Sequence, residues 1–171
     1  SCYFITASII HRQGLLDTTA KHTVVQDVLK QAIVQHSITL YAWVILANHY
    51  HLLLKTSDVA PIYKFIKRLH GDSAIQLNKL DNTPGRKVWY QYWDRFPRTE
   101  QDFWAYFNYI HINPIKHGYV QVSDGELSVA GKQVKIDAAD AFIFSVAITP
   151  REAMWAFAIY ALAIGALVLI S

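Results

Sequence analysis

The sequence predicts an α+β fold, a split βαβ sandwich of the ferredoxin-like kind built on an antiparallel sheet. Three observations support this class. Strand-like and helix-like patterns follow one another in the order β-α-β-β-α-β-α. The second and third strands are separated by a turn too short for anything but an antiparallel pair. The length of 171 residues suffices for one ordinary core with a smaller addition.

The first half of this order is carried by residues 2–56. Cys2 to Ile10 is rich in β-branched and aromatic residues, which predicts the first strand. A helix is expected to start at Asp17 to Thr19, where side chains can cap it, and to end near His36. From Thr39 to Thr56 the chain is almost continuously apolar apart from Ala47-Asn48-His49, which predicts a hairpin that turns there.

The second half begins with Asp58 and Pro61, which are typical of a helix start. The expected inward face of this helix consists of Ile62, Phe65, Ile66, Leu69, Ile75 and Leu77. Asn82 to Gly85 then ends the helix. Val88 to Phe96 is an aromatic stretch that predicts a fourth strand or an extended arm, and Thr99 begins a third helix through Ile112.

The chain changes character near Val122, which predicts a catalytic domain over residues 1–122 and an atypical tail over residues 123–171. The first part holds 13 Lys and Arg against 8 Asp and Glu, and it contains all eight histidines. The tail holds 3 basic against 5 acidic residues, and residues 153–171 carry no charge. That run meets the length criterion for a membrane helix, so membrane association of the tail is one alternative, beside a fusion product or a helix that packs on the domain.

Cysteine use and the N-terminus indicate the compartment. A single cysteine, Cys2, excludes an internal disulfide and a thiolate zinc cluster, and it fits a reducing environment. No basic-then-apolar signal segment stands at the start. We therefore expect a cytoplasmic protein.

His49 and His51 are the first candidate functional residues. Residues two apart in a strand point to the same side, so both imidazoles face one way. Two neutral imidazoles supply half of a divalent-metal site and need at least one further oxygen or nitrogen ligand. Because so short a motif also arises by chance, the two histidines alone leave open that they are unrelated.

Tyr109 and Asn113 form the second candidate pair. They are four residues apart at the end of the third helix and share a face if the helix persists. Pro114, however, biases Asn113 away from helical geometry. Read separately, Tyr109 could be an ordinary half-buried aromatic and Asn113 a residue that ends the helix before proline.

The two segments together resemble the signatures of the IS200-like (Y1) tyrosine HUH transposases, with the REP-associated tyrosine transposases as the nearest branch. The first is Trp-Val-Ile-Leu-Ala-Asn-His-Tyr-His-Leu-Leu at residues 43–53. The second is Asn-Tyr-Ile-His-Ile-Asn-Pro-Ile-Lys-His-Gly-Tyr-Val at residues 108–120. An aromatic Trp-Tyr-x-Tyr-Trp-Asp-Arg segment lies between them. The chain departs from the family at Ala47, where proline is usual, and in its apolar tail.

The resemblance implies the HUH endonuclease fold and a metal-dependent chemistry. In the family the two histidines bind a divalent metal, Mg²⁺ or Mn²⁺, which carries over to His49 and His51, with Asn113 as third ligand. Tyr109 takes the place of the nucleophile, which attacks phosphorus and forms a 5′-phosphotyrosine. A phenol with an ordinary pKa of about 10 is a poor nucleophile at neutral pH, so the metal is expected to polarise the phosphate.

The implied substrate is single-stranded or hairpin DNA, nicked and rejoined in DNA transposition or in mobilising REP elements, and a homodimer is possible in the family. Basic and aromatic residues that can contact this DNA lie in or next to the second helix, the aromatic strand and the third helix. The candidates are Lys64, Lys67, Arg68, Arg86, Lys87, Trp89, Arg95, Arg98 and Lys116. For Lys64, Lys67 and Arg68 a solvated helix face is an equal alternative.

Two other functions stay open at this point. A domesticated relative would recognise hairpin DNA without cutting it. A metallohydrolase would use His49 and His51 with a water nucleophile, although no acidic ligand lies near them in sequence.

Overall fold

The structure is a computed structural model that describes residues 1–56, 62–116, 120–123, 126–129 and 132–133, with side chains up to Asn113. The strands are β1 (Cys2–Ile9), β2 (Ile38–Ile45), β3 (His49–Thr56), β4 (Trp89–Arg95), β5 (Val120–Ser123), β6 (Glu126–Val129) and β7 (Lys132–Gln133). The α-helices are α1 (Thr19–Gln35), α2 (Ile62–Leu80) and α3 (Glu100–Lys116). A 3-10 turn, Ile10–Arg12, follows β1.

The first four strands form one sheet in the order β2-β3-β1-β4, and every neighbouring pair is antiparallel. Since β1 and β2 both run against β3, which lies between them, β1-α1-β2 is a split βαβ unit. The predicted α+β, ferredoxin-like fold with an antiparallel sheet is thus confirmed. The hairpin of β2 and β3 turns at residues 46–48, as the sequence predicts.

Helices cover both faces of this sheet. One face packs in the larger core, to which β1 contributes Ile5, Ala7 and Ile9, against α1 and α2. The other face packs in a smaller core, where Phe4 of β1 meets Phe107 and Ile110 of α3. The alternation of strand side chains therefore divides each strand between two cores.

The helices begin and end for local reasons. Thr18 caps α1 by accepting a hydrogen bond from the backbone N–H of Lys21 (3.4 Å). In α3 the Asp102 carboxylate accepts from the backbone N–H of Thr99, and the Thr99 hydroxyl accepts from the N–H of Asp102, a reciprocal capping box. Asp102 lies in the positive first turn, and hydrogen bonds from the backbone N–H groups of Arg98 and Thr99 lower the pKa of its carboxyl group.

Two expectations about the helices are wrong. Ile75, placed on the inward face of α2, is 69% exposed. At 3.6 residues per turn it lies about 240° around the helix from Leu69, off the buried stripe. The third helix does not end at Ile112 but continues to Lys116, so Asn113 has helical geometry although Pro114 follows it.

The tail is described only in part. Strands β5, β6 and β7 form a small antiparallel meander that spans the boundary expected at Val122, and the sequence did not predict it. The expected helix start at Asp58 and Pro61 and the apolar run 153–171 lie outside the described residues. Within the described part of the chain, no helix is long and apolar enough to cross a membrane.

A buried polar chain joins β3, α2 and β4 within the larger core. Burial raises the pKa of Tyr50, so its phenol keeps a proton that it can donate to Nε2 of His70 (2.9 Å). The His70 ring stacks on Trp89 at 4.8 Å between centroids. The indole N–H of Trp89 in turn donates to the hydroxyl of Ser73 (2.9 Å). These bonds satisfy groups that would be costly to bury alone.

We expect the burial of His70 to make the protein less stable in mild acid. Burial lowers the pKa of His70 to about 4, whereas the unfolded chain takes up the proton near pH 6.5. The unfolded state binds more protons between these values, so the free energy of unfolding falls by about 2 kcal/mol from pH 7 to pH 5. Urea denaturation at both pH values measures this loss.

The matched variant is His70→Gln, whose amide oxygen can still accept from Tyr50 but does not titrate. It should lose about 2 kcal/mol less than the wild-type chain between the two pH values. Equal losses in the two proteins would show that His70 does not stay neutral inside the fold. Burial also lowers the pKa of His22 and His111, but both remain in the variant and cancel in the comparison.

Candidate active site

His49 and His51 stand on the face of the sheet that α3 covers. Both occupy positions of β3 that alternate with Tyr50, which points into the opposite core. Their ring centroids are 5.0 Å apart. His51 is buried and His49 half-buried, so the pair forms a partly enclosed imidazole cluster at the start of β3.

Asn48 orients the ring of His49. The amide N–H of Asn48 donates to the carbonyl of Arg12 (3.2 Å), which turns the amide oxygen toward His49. That oxygen lies 2.6 Å from Nδ1 of His49 and can only accept a hydrogen bond. His49 therefore carries its proton on Nδ1 when neutral, and the lone pair of the ring is on Nε2.

Thr6 plays the corresponding part for His51. Its hydroxyl oxygen is 2.8 Å from Nδ1 of His51, directly across the β1–β3 register. When the N–H at Nδ1 donates to this hydroxyl, the lone pair of His51 is also on Nε2. Both histidines thus have Nδ1 held by an oxygen of a neighbouring residue, which is typical of metal-binding histidines.

Tyr109 approaches the same histidines from α3. Its ring centroid lies 5.1 Å from that of His51 in an edge-on arrangement and 6.0 Å from that of Phe4. The side chain is 40% exposed, so it borders both the imidazole cluster and solvent. The structure therefore brings together three of the four residues selected from the sequence.

Asn113 follows Tyr109 by one turn of α3 and shares its helix face. Its side chain is 1% exposed, yet neither Oδ1 nor Nδ2 has a hydrogen-bond partner in the described part of the chain. A buried amide without partners costs about 1 to 3 kcal/mol. Its oxygen is therefore a candidate metal ligand, and the donor set of two imidazoles and one amide oxygen fits a divalent metal.

No group of three or more His, Cys, Asp or Glu side chains that could hold a metal ion occurs among the described residues. A metal at this site would thus depend on the amide of Asn113. His111, also on α3, instead has Nδ1 2.7 Å from the carbonyl of Phe107 within its own helix.

The candidate DNA-contacting residues fall into separate places. Lys64, Lys67 and Arg68 are exposed on α2, which covers the sheet face opposite the histidines, and Arg68 pairs with Asp72 (3.3 Å). Lys87, Arg95 and Arg98 are exposed near or beyond the ends of β4. The side chain of Lys116 lies outside the described residues.

Two of these candidates are engaged within the fold. Trp89 is 5% exposed in the larger core, so it offers no face on which a base could stack. Arg86 is held by Asp81 (2.8 Å) and donates from Nε to Asn78 (3.0 Å), so it ties the segment before β4 to the end of α2. The accessible rings of this strand are those of Tyr90 and Trp93, at 52% and 50% exposure.

The sequence did not single out Thr6 and Asn48, which orient the two histidines. Asn48 could have been found, since an amide beside a histidine in a tight turn is well placed to bond its ring. Thr6 could not, because its role depends on the β1–β3 register.

This four-stranded antiparallel sheet, covered by helices on both faces, has the HUH fold. The sequence profile of the family described as "Transposase IS200 like" matches residues 2–111 of the chain. The match spans more than half of the chain, and the protein therefore belongs to the IS200-like transposases.

Individual relatives agree with this assignment. The chain is 27% identical over 143 residues to the REP-associated tyrosine transposase of Escherichia coli K12, covering 77% of this chain and 78% of that protein. A solved REP-associated tyrosine transposase bound to a REP hairpin superposes with a TM-score of 0.58 at 18% identity, over 78% of this chain and 92% of the other.

A candidate transposase from Deinococcus radiodurans R1 gives a TM-score of 0.50 at 20% identity, over 65% and 88% of the two chains. At these identities the two solved structures support the fold alone.

Proposed function

We propose that this transposase is a metal-dependent enzyme that nicks and rejoins single-stranded DNA through a covalent bond to Tyr109. The observation that carries the proposal is the contact between the Tyr109 and His51 rings, at 5.1 Å, beside histidines whose Nδ1 atoms are already engaged. It brings the proposed nucleophile beside the proposed metal ligands, from segments about sixty residues apart in sequence.

His49 and His51, through Nε2, and Asn113, through Oδ1, would hold the ion. When bound, Mg²⁺ or Mn²⁺ supplies positive charge that polarises the scissile phosphate and stabilises the charge that develops on it. Asn113 supports this assignment because its buried amide otherwise lacks a partner among the described residues. Thr6 and Asn48 would keep both rings in the tautomer that a ligand needs.

Tyr109 would attack phosphorus with its phenolic oxygen. The new bond joins that oxygen to phosphorus, the bond from phosphorus to the 3′-oxygen breaks, the phenolic proton passes to solvent, and the leaving oxygen takes up a proton. The product is a 5′-phosphotyrosine and a free 3′-hydroxyl. Because the phosphodiester bond energy is kept, a second 3′-hydroxyl can reverse the step and join another strand without a nucleotide cofactor.

A flexible strand suits this chemistry, since the attacking oxygen, phosphorus and leaving oxygen must come into line. The relative solved with a REP hairpin suggests a hairpin next to the cut as the partner of this chain too. We assign the activity to residues 1–122 and treat residues 123–171 as an addition, and a homodimer is compatible with it. Cytoplasmic action is part of the same proposal.

The test is to incubate the purified chain with circular single-stranded DNA and Mn²⁺ and to look for a protein–DNA adduct that survives denaturation. We expect an adduct that EDTA abolishes. No adduct on hairpin-rich DNA, with DNA binding retained, would favour a domesticated binding protein. DNA cleavage without an adduct would favour a hydrolase with a water nucleophile.

A further inference from the structure

An exposed aromatic patch, formed by Tyr90 and Trp93 of β4, lies on the edge of the sheet near the candidate active site. The two ring centroids are 6.4 Å apart and the planes are tilted by 50°. Each ring is about half exposed. The rings therefore offer two separate faces to solvent rather than one closed slot.

Trp93 of the patch lies on the same side of the sheet as the histidines. Thr6 of β1 is the register partner of both His51 on β3 and Trp93 on β4. Residues directly opposite one another in a sheet point to the same face, so His51, Thr6 and Trp93 form one row across three strands. With about 4.8 Å between strands, the Trp93 position lies roughly 10 Å from that of His51.

Positive charge surrounds the patch. The ammonium of Lys87 lies 5.9 Å from the centre of the Tyr90 ring, and Arg95, the register partner of Phe4, extends from the same face. Neither cation forms an ion pair within the part of the chain that the structure describes. Two acids that are close in sequence are directed elsewhere: Asp94 alternates to the opposite face, and Asp102 accepts from the N–H groups of Arg98 and Thr99.

We propose that the aromatic patch binds unpaired bases of the DNA strand next to the cut, with Lys87 and Arg95 on the flanking phosphates. Exposed rings beside cations are what single-stranded nucleic acid requires, since every base can stack and every nucleotide carries a negative charge. Duplex DNA buries its base faces and cannot use the rings in this way. This inference rests on the proposed function and names the part of the substrate that this edge holds.

The test measures binding without cleavage, in EDTA and at one ionic strength, by fluorescence anisotropy with a labelled single strand of about 20 nucleotides of mixed sequence. Trp93→Ala and Tyr90→Ala should each raise Kd by about fivefold or more. Tyr63→Ala is the matched control, because Tyr63 is 54% exposed on α2, across the sheet, and should leave Kd unchanged. Thermal unfolding by circular dichroism checks that all variants fold like the wild-type chain.

A second probe isolates stacking from charge. An abasic strand of the same length should bind the wild-type protein about fivefold or more weakly than the normal strand, whereas Trp93→Ala should discriminate between the two strands much less. Equal binding of normal and abasic strands by the wild-type protein would overturn the proposal. So would equal losses for Trp93→Ala on single-stranded and duplex DNA, or failure of the wild-type chain to bind the single strand.

Failure of this binding proposal can be distinguished from failure of the proposed nicking activity. If Trp93→Ala binds as tightly as the wild-type chain while an adduct still forms, the patch has another role and the nicking mechanism stands. If the variant loses binding but no adduct forms with any protein, the binding surface stands and the nicking mechanism fails.

Discussion

Tyr109→Phe is expected to abolish the covalent protein–DNA adduct, lowering its rate of formation by a factor on the order of 10³ or more. The substitution removes one oxygen atom and keeps the ring that touches His51 and Phe4. Because the side chain is 40% exposed, no buried hydrogen bond should be lost with it. The variant should therefore fold and bind DNA as before while failing to cut, which gel analysis of denatured reactions measures.

Tyr106→Phe is the matched control. Tyr106 lies nearly one turn earlier on α3, and its ring stacks on Phe4 at 4.4 Å, so both tyrosines share a neighbour. It should retain adduct formation within about twofold, since its hydroxyl is given no part in the reaction. Loss of the adduct in Tyr106→Phe with retention in Tyr109→Phe would show that Tyr106, and not Tyr109, is the nucleophile. Retention of the adduct in both variants would show that neither tyrosine attacks the DNA.

His51→Ala is expected to have the second-largest effect. Losing groups that merely orient a metal-bound histidine typically costs 10- to 100-fold in affinity or activity, so losing the ligand itself should cost about 100-fold or more in adduct formation. The affinity for Mn²⁺, measured by isothermal titration calorimetry without DNA, should fall with it. His49→Ala should behave in the same way, since its ring is oriented by Asn48 as that of His51 is by Thr6.

His111→Ala is the control for this series. His111 lies on α3 with Nδ1 beside the carbonyl of Phe107, and its side chain is assigned no ligand role. Its variant should keep the Mn²⁺ affinity of the wild-type chain. Unchanged Mn²⁺ affinity in His51→Ala and His49→Ala would contradict the metal assignment. A loss of Mn²⁺ affinity in His111→Ala alone would show that His111 is a ligand instead.

The sequence predicted the fold because its signals are local. The turn at Asn48 sets the β2–β3 hairpin, Thr18 and Thr99 mark helix starts, and the alternation of β3 puts His49 and His51 on one face. The juxtaposition of Tyr109 with these histidines came from the family resemblance. Spacing alone could not decide it, since the contact depends on which sheet face α3 covers.

The burial of Trp89 was missed because it also depends on which face of the sheet a side chain occupies. In the aromatic stretch every second residue faces the larger core, but the sequence does not say which. The register opposite Ile9 puts Trp89 inside, and a bulge near Ala7 and Ile9 shifts the alternation before Tyr92 and Trp93. For Ile75, by contrast, the helical period alone would have predicted that the side chain is exposed.

The residues of the candidate site belong to two parts of the fold, the sheet and α3, which differ in the hydrophobic cores that hold them. The histidines belong to a sheet whose far side is closed by the larger core, whereas Tyr109 and Asn113 belong to a helix seated on the smaller one, in which α3 buries Phe107 and Ile110. Free energies of local opening follow the apolar surface that holds an element in place. Lifting α3 would separate Tyr109 from His51, so the protein could lose the proposed nicking activity while the sheet stays folded. The backbone amides of α3 should therefore exchange with deuterium before those of β1 and β3.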